Sequence, residues 1–182
     1  MSREIEIKVL NIDVEEIKEK LLEIGAIKVK EEIQQNIVFD TDDCLSKNGI
    51  DGYLRVRSVE DLISNEEYHE FTLKKKLCVD ETSRVHEEIE TRIEKPEVMV
   101  EIMKAVGIEV LHRGEKKRVS YRFEEILFEI DIWDDKTYPD PYMEIEVCKN
   151  EDLERAVRLL DLNESQLTTK SINTLRKEKN LK

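Results

Sequence analysis

The sequence predicts an α+β protein: an eight-stranded antiparallel β-barrel with a charged lumen and helices packed on its outside. Two observations carry this prediction. About eight short segments alternate charged and apolar residues, the period of two that sends neighbouring side chains to opposite faces of a strand. The charges also segregate by sign, acidic pairs on some segments and basic pairs on others, whereas an ordinary solvated face mixes Lys, Glu, Ser, Thr and Asn along one strand. The opposite faces are apolar and there are helices to cover them. The charged faces therefore turn inward, into a lumen that eight strands make wide enough for a small ligand.

The first strand is Glu4-Ile5-Glu6-Ile7-Lys8-Val9, with Glu4, Glu6 and Lys8 on one face. Asn11 to Gly25 reads as a helix: Asp13 is its N-cap with Glu16 three residues on, Ile12 and Ile17 suit a hydrophobic staple, and Gly25 stops it. Lys28 to Asp40 is extended, and Thr41-Asp42-Asp43 and Asn48-Gly49 mark a turn-rich loop. Tyr53 to Val59 and Glu70 to Leu77 are strands joined by an acidic surface loop, Glu60 to His69. Thr82 to Ile93 is the next strand. Pro96 opens a helix at N1, with Val98, Ile102 and Ala105 inward and Gly107 as its stop. Glu115 to Phe123 pairs with Leu127 to Trp133. Pro139 and Pro141 break the chain before Tyr142 to Cys148, and Trp133 and these prolines shape a loop at one mouth of the barrel. Asn150 caps a helix through Leu160, and an amphipathic helix runs from near Thr168 to Lys179, its Arg176, Lys177 and Lys179 forming a solvated end.

The length of 182 residues suits one domain spanning 1–182, with enough buried surface for a true core. Residues are 39% hydrophobic and 40% charged, and the net charge of −13 argues against a general nucleic-acid binder, which needs a basic surface. Cys44, Cys78 and Cys148 are odd in number and widely spaced, so neither a zinc site nor a disulfide framework is indicated. No apolar run reaches the length that spans a bilayer. The first residues lead straight into a strand, without a signal-peptide hydrophobic region. A cytoplasmic location is the expectation, with no membrane partner.

Strand by strand, the inward faces define a chemistry. Carboxylates come from Glu4 and Glu6, Glu88 and Glu90, Glu129 and Asp131, and Glu144 and Glu146. Cations come from Lys8, Arg55 and Arg57, Lys74 and Lys76, and Lys116 and Arg118, with Arg84 and His86 sharing the parity of Glu88. Burying so many charges costs several kcal/mol per ion unless each is compensated, on the order found for buried ion pairs. Divalent metal would neutralise the carboxylates, with Glu4, Glu6, Glu88, Glu90, Asp131, Glu144 and Glu146 as candidate ligands. A polyanion would neutralise the cations. Mg²⁺ and Mn²⁺ take carboxylate and phosphate oxygens, and arginine grips phosphate through its planar fork. The residues thus point to a metal-dependent triphosphate site. There is no P-loop, and with only 5 Gly the phosphates must be held by side chains. His69 and His112 read as surface residues.

Glu4-Ile5-Glu6-Ile7-Lys8 resembles the ExExK signature of the CYTH superfamily, the triphosphate tunnel metalloenzymes. Leu54-Arg55-Val56-Arg57, Thr72-Leu73-Lys74, Glu87-Glu88-Ile89-Glu90, Lys117-Arg118 and Tyr142-Met143-Glu144-Ile145-Glu146 resemble its later motifs in order, and the resemblance spans Ser2 to Lys177. Lys170-Ser171 resembles a basic residue and serine near the family's C-terminal helix, although Ile172 stands where an aromatic is usual. His86 stands where the family often has an arginine, and Arg84, two residues earlier, is the alternative phosphate contact.

The resemblance implies that Glu4, Glu6, Asp131, Glu144 and Glu146 ligate Mg²⁺ or Mn²⁺. It implies that Lys8, Arg55, Arg57, Lys74, Lys76 and Arg118 grip phosphates, with Lys170 as a further contact, and that Glu4, Glu6, Lys8 and Arg57 form the catalytic centre. The family includes inorganic triphosphatases, thiamine triphosphatases and class IV adenylyl cyclases. The expected substrate is therefore a small triphosphate: tripolyphosphate, ATP or thiamine triphosphate. The His-Phe pair that class IV cyclases often carry before ExExK is absent, since only Met1, Ser2 and Arg3 precede Glu4. This favours hydrolysis of the terminal phosphate. The alternatives are cyclic AMP formation from ATP, or a sensor that binds triphosphate without turnover. Family members are monomers or homodimers.

Overall fold

The structure, a computed structural model, describes residues 2–79 and 83–181. Its strands are β1 (Ser2–Val9), β2 (Ile27–Phe39), β3 (Gly52–Asp61), β4 (Glu66–Val79), β5 (Arg84–Ile93), β6 (Val110–Phe123), β7 (Ile126–Trp133), β8 (Tyr142–Val147) and the two-residue β9 (Leu167–Thr168). Its helices are α1 (Val14–Glu23), α2 (Asp42–Ser46), α3 (Pro96–Ala105), α4 (Asn150–Leu159) and α5 (Ile172–Glu178). The strand order is β5-β4-β3-β2-β6-β7-β8-β1-β9, and a further β1–β5 pairing closes the first eight into a barrel. Every pairing is antiparallel. One edge of β1 is taken by β8; the other is shared by β5 along Ser2–Glu6 and by β9 at Lys8–Val9, so β9 lies outside the barrel. The expected eight-stranded antiparallel barrel with outer helices is the observed architecture.

The barrel is inside-out, as the alternation requires. The apolar faces of β1, β6, β7 and β8 point outward, where Ile17 and Leu21 of α1 and Leu153 and Ala156 of α4 cover Ile7, Tyr121, Phe128, Ile130 and Ile145. Each side chain buried this fully contributes about 1.5–3 kcal/mol of transfer free energy. A second cluster seats Val100 and Met103 of α3 on Phe39 and Val56. A third gathers Tyr138, Tyr142 and Leu175 at one mouth, with Trp133 and Ile172 against them.

Local chemistry explains the boundaries. Asp13 caps α1 by accepting from the backbone N–H of Glu15 and Glu16, and Gly25 leaves the helix at φ 85°, a left-handed angle that suits glycine. Ile12 and Ile17 join the same cluster, as a staple does.

Four expectations are corrected. Glu60 to His69 is the tip of a hairpin rather than a loop: the β3–β4 ladder continues to Asp61 opposite Glu66. The Asp61 carboxylate accepts from the N–H of Ile63 and Ser64, and Asn65 takes φ 59°, so a short polar turn suffices. The segment after Phe39 contains the five-residue α2 rather than turns alone. In α3 the inward face is Pro96, Val100 and Met103, while Val98 and Ile102 are 46% and 50% exposed. Arg176 is not a solvated end: it is buried, donates to the carbonyl of Thr137 at 2.9 Å, and approaches His112 Nε2 at 3.1 Å. His112 is accordingly half-buried, and His69 lies in β4 with Nδ1 2.9 Å from Ser58 Oγ. Thr82, the expected start of the fifth strand, lies outside the described residues. No helix among the described residues is long and apolar enough to cross a membrane.

Candidate active site

The lumen holds a cavity of about 760 Å³. Strand alternation carries Glu4, Glu6 and Lys8 of β1 to its wall, Arg55 and Arg57 of β3 with Lys74 and Lys76 of β4, Arg84, Glu88 and Glu90 of β5, Lys116 and Arg118 of β6, and Glu144 and Glu146 of β8; Lys170 reaches it from the segment before α5. Asp131 is placed behind this wall. It is fully buried and accepts from Lys116 Nζ at 2.7 Å and from Arg118 Nε and Nη2 at 2.6 and 2.7 Å, so it acts as their counter-ion.

Most cations of the lumen are already neutralised. Lys8 donates to Glu144 at 2.5 Å. Lys74 lies 2.9 Å from Glu88 and 3.3 Å from Glu6. Burial alone would lower the Lys74 pKa, but Glu6, Tyr53 and Glu88 outweigh it and raise the group well above its usual value. Arg84 pairs with Glu6, and its Nη1 also donates to the Lys170 carbonyl. Arg118 bonds Glu129, Asp131 and Glu144 together. At the rim, Lys76 is exposed and pairs with Asp51 at 2.6 Å, and exposed Lys170 pairs with Glu178 at 2.7 Å.

Arg55 and Arg57 differ from these. Arg55 is buried, and its Nε and Nη2 have no hydrogen-bond partner among the described residues. Arg57 donates Nε to Asn36 Oδ1 at 3.2 Å and forms no ion pair among the described residues. Burial, then Arg55 and Arg118, pushes the Arg57 guanidinium down from its usual value, the mark of cations crowded without an anion.

The carboxylates show the complementary excess. Glu4, Glu6 and Glu146 can bring ligand oxygens within 4.8 Å of one another, and so can Glu129, Glu144 and Glu146. Glu146 belongs to both groups and forms no ion pair among the described residues. Burial, with Glu129 beside it, raises its pKa well above the usual carboxylate range. A hard divalent cation would relieve that crowding, and an all-oxygen donor set suits Mg²⁺ or Mn²⁺. Glu88 and Glu90 stand apart from both groups. Burial works against the Glu88 charge, yet Lys74 and Arg55 hold its pKa at about 2; exposed Glu90 accepts from Thr72 Oγ1 at 2.9 Å.

On β5, Arg84 supplies the cation and His86 does not. Burial and the nearby Lys74 and Arg84, against Glu6, bring the His86 pKa to about 4, so the imidazole is neutral at neutral pH, with Nδ1 3.5 Å from Glu6. Sequence reasoning missed the wall formed by Glu32, Gln34 and Asn36 of β2, all buried. Its signal was present in their alternation with Ile33 and Ile37, but it is a weak one because it carries little charge.

A closed antiparallel barrel with acidic and basic walls facing a common lumen is a tunnel-type protein. The model of the CYTH domain matches residues 2–177, and the chain belongs to this family of metal-dependent, triphosphate-handling proteins. It is 33% identical over 128 residues to a Methanocaldococcus jannaschii protein named "Putative adenylate cyclase MJ0240", a match covering 70% of this chain and 69% of that one. In fold it is similar to the PH1819 protein of Pyrococcus horikoshii OT3, with a TM-score of 0.79 at 24% identity over 97% of this chain and 99% of that one. It is also similar to a Hippeastrum protein named "Putative adenylyl cyclase HpAC1", described as having a dominant triphosphatase activity. That TM-score is 0.68 at 17% identity, over 98% and 96% of the two chains.

Proposed function

We propose that this chain is a divalent-metal-dependent triphosphatase that takes a small triphosphate into its lumen and transfers the terminal phosphoryl group to water. The observation that carries this reading is Arg55. A buried guanidinium with two nitrogens unpartnered among the described residues, beside Arg57 and lining a cavity, is destabilising until an anion arrives. Its planar fork suits phosphate oxygens.

Arg55, Arg57 and Lys116 bind the phosphates, and Lys8, Lys74, Arg84 and Arg118 set the potential around them while fixing the carboxylates. Glu4, Glu6, Glu129, Glu144 and Glu146 would hold the metal. When bound there, Mg²⁺ or Mn²⁺ supplies Lewis-acid polarisation of phosphate oxygens. The chain's own share of catalysis is positioning plus stabilisation of charge on the transferring group by preorganised cations. Burial and then Arg118 lower the Lys116 pKa to about 8, so this ammonium keeps its proton at neutral pH and loses it in mild alkali.

Adenylyl cyclase is the second reading, favoured by the name of the Methanocaldococcus jannaschii relative; the activity described for the Hippeastrum protein supports the hydrolase. The test is product analysis with tripolyphosphate, thiamine triphosphate and ATP in the presence of Mg²⁺ or Mn²⁺. The expected result is orthophosphate release that stops with a chelator. Cyclic AMP and pyrophosphate from ATP would reverse the choice, and tight binding without either product would make the chain a sensor.

A further inference from the structure

We propose that Gln34 is a specificity-determining residue: its side-chain oxygen accepts an N–H donor on the organic group of a triphosphate ester, so that the tunnel favours an organic over an inorganic triphosphate. The inference rests on the triphosphate reading above. Gln34 is 1% exposed and lines the lumen, and its Oε1 has no hydrogen-bond partner among the described residues.

The orientation of the amide is fixed by its neighbours. Gln34 Nε2 donates to Glu32 Oε2 at 2.6 Å, and the other Glu32 oxygen accepts from Tyr68 Oη at 3.3 Å and lies 3.5 Å from Lys30 Nζ. Turning the amide over would set its oxygen against the Glu32 carboxylate and forfeit that bond. The unpartnered atom of this cavity-lining residue is therefore an acceptor, on a side chain held by a bonded chain from Lys30 through Glu32.

An acceptor does not bind phosphate. Every surface atom of inorganic triphosphate is an oxygen, and once metal and cations have displaced its last proton these repel a carbonyl oxygen. A nucleobase or an aminopyrimidine, by contrast, carries the N–H that this atom lacks. The position suits a ligand already held by its phosphates. Asn36, the hydrogen-bond partner of Arg57, is two residues along the same face of β2, roughly 7 Å away by strand geometry. Lys116 lies directly opposite Gln34 in the ladder with β6. In the strand order β2 is four strands from β1 in either direction, so this wall stands across the barrel from Glu4 and Glu6. Asn36 and Tyr68 line the cavity beside it.

The test compares kcat/KM for ATP, thiamine triphosphate and tripolyphosphate in the wild type and in Gln34→Met, which keeps length and loses the acceptor. The organic-to-inorganic ratio is expected to fall about tenfold for at least one of the two esters, the scale of one lost hydrogen bond. Gln34→Asn, which stays polar and withdraws the oxygen by one methylene, is expected to fall in the same direction and serves if the methionine variant does not fold. A ratio unchanged for both esters, or a wild type that prefers tripolyphosphate, would overturn the role of Gln34 and leave the triphosphate reading standing. A wild type that neither hydrolyses nor binds any of the three, by calorimetry, would overturn that reading and this inference with it.

Discussion

Glu6 and Glu146 face the same lumen from adjacent strands, directly opposite each other in the ladder, yet their surroundings are opposed. Burial works against the charge of Glu6, but Lys74, with Lys8 and Arg84, outweighs it and holds the carboxyl below its usual value. Glu146 has burial and carboxylates around it, and its pKa is raised. Glu146→Gln is therefore expected to stabilise the metal-free protein at pH 8 by about 1–2 kcal/mol while removing most of the stabilisation by added Mn²⁺. Glu6→Gln is expected to destabilise it, because Arg84 loses its nearest counter-ion and Lys74 one of several. Thermal melts of both variants with Mn²⁺ and with chelator check the opposite signs; two shifts of the same sign in chelator would refute the contrast. His86 sets a pH window. The folded chain keeps the imidazole neutral down to about pH 4, whereas the unfolded chain protonates it near the ordinary value of 6.5. Stability from the neutral ring is thus complete above pH 6.5 and lost as pH falls toward 4, by up to about 3 kcal/mol. Urea titrations of wild type and His86→Gln across that window should show a shallower decline in the variant.

At the level of elements, α3 shows what periodicity settles and what it leaves open. Val98, Ile102 and Ala105 repeat with helical spacing, but so do Pro96, Val100 and Met103, and only packing on Phe39 and Val56 selects the second set. Met103→Ala is expected to cost about 2–5 kcal/mol and Ile102→Ala within about 0.5 kcal/mol, measured by chemical denaturation. Equal losses would mean the outer face is packed too. The strands were legible for the converse reason: a period of two admits one inward set, and sign segregation showed it to be the charged set. Asp131 shares the parity of Glu129, and pattern alone could not reveal that Lys116 and Arg118 cover it. Nor could it reveal Gln34, whose meaning lies in one unpaired atom rather than in a charge. The hairpin tip was misread because Glu60 to His69 is rich in charge, and charge describes an exposed strand edge as well as a loop.

For the molecule as a whole, the net charge of −13 conceals two opposed excesses inside the barrel, arginines on β3 without an ion pair among the described residues and crowded carboxylates on β1, β7 and β8. Each excess is a binding free energy held in reserve. Tripolyphosphate and Mn²⁺ are expected to raise the unfolding free energy separately, each by about 2.7 kcal/mol at a hundred times its dissociation constant. Triphosphate affinity should also rise when Mn²⁺ is present, because linkage is reciprocal. A calorimetric affinity indifferent to Mn²⁺ would count against a shared site.

The double pairing of β1 has a kinetic consequence. Lys8 meets Glu144 across 136 positions of sequence, and Glu6 meets Arg84 across 78. Contacts so distant form late, after hairpins such as β3–β4 have closed locally. A chain leaving the ribosome carries its first strand early; one seam of that strand waits for the fifth strand and the other for the eighth. Closure of the lumen is thus expected late in folding, after the local hairpins.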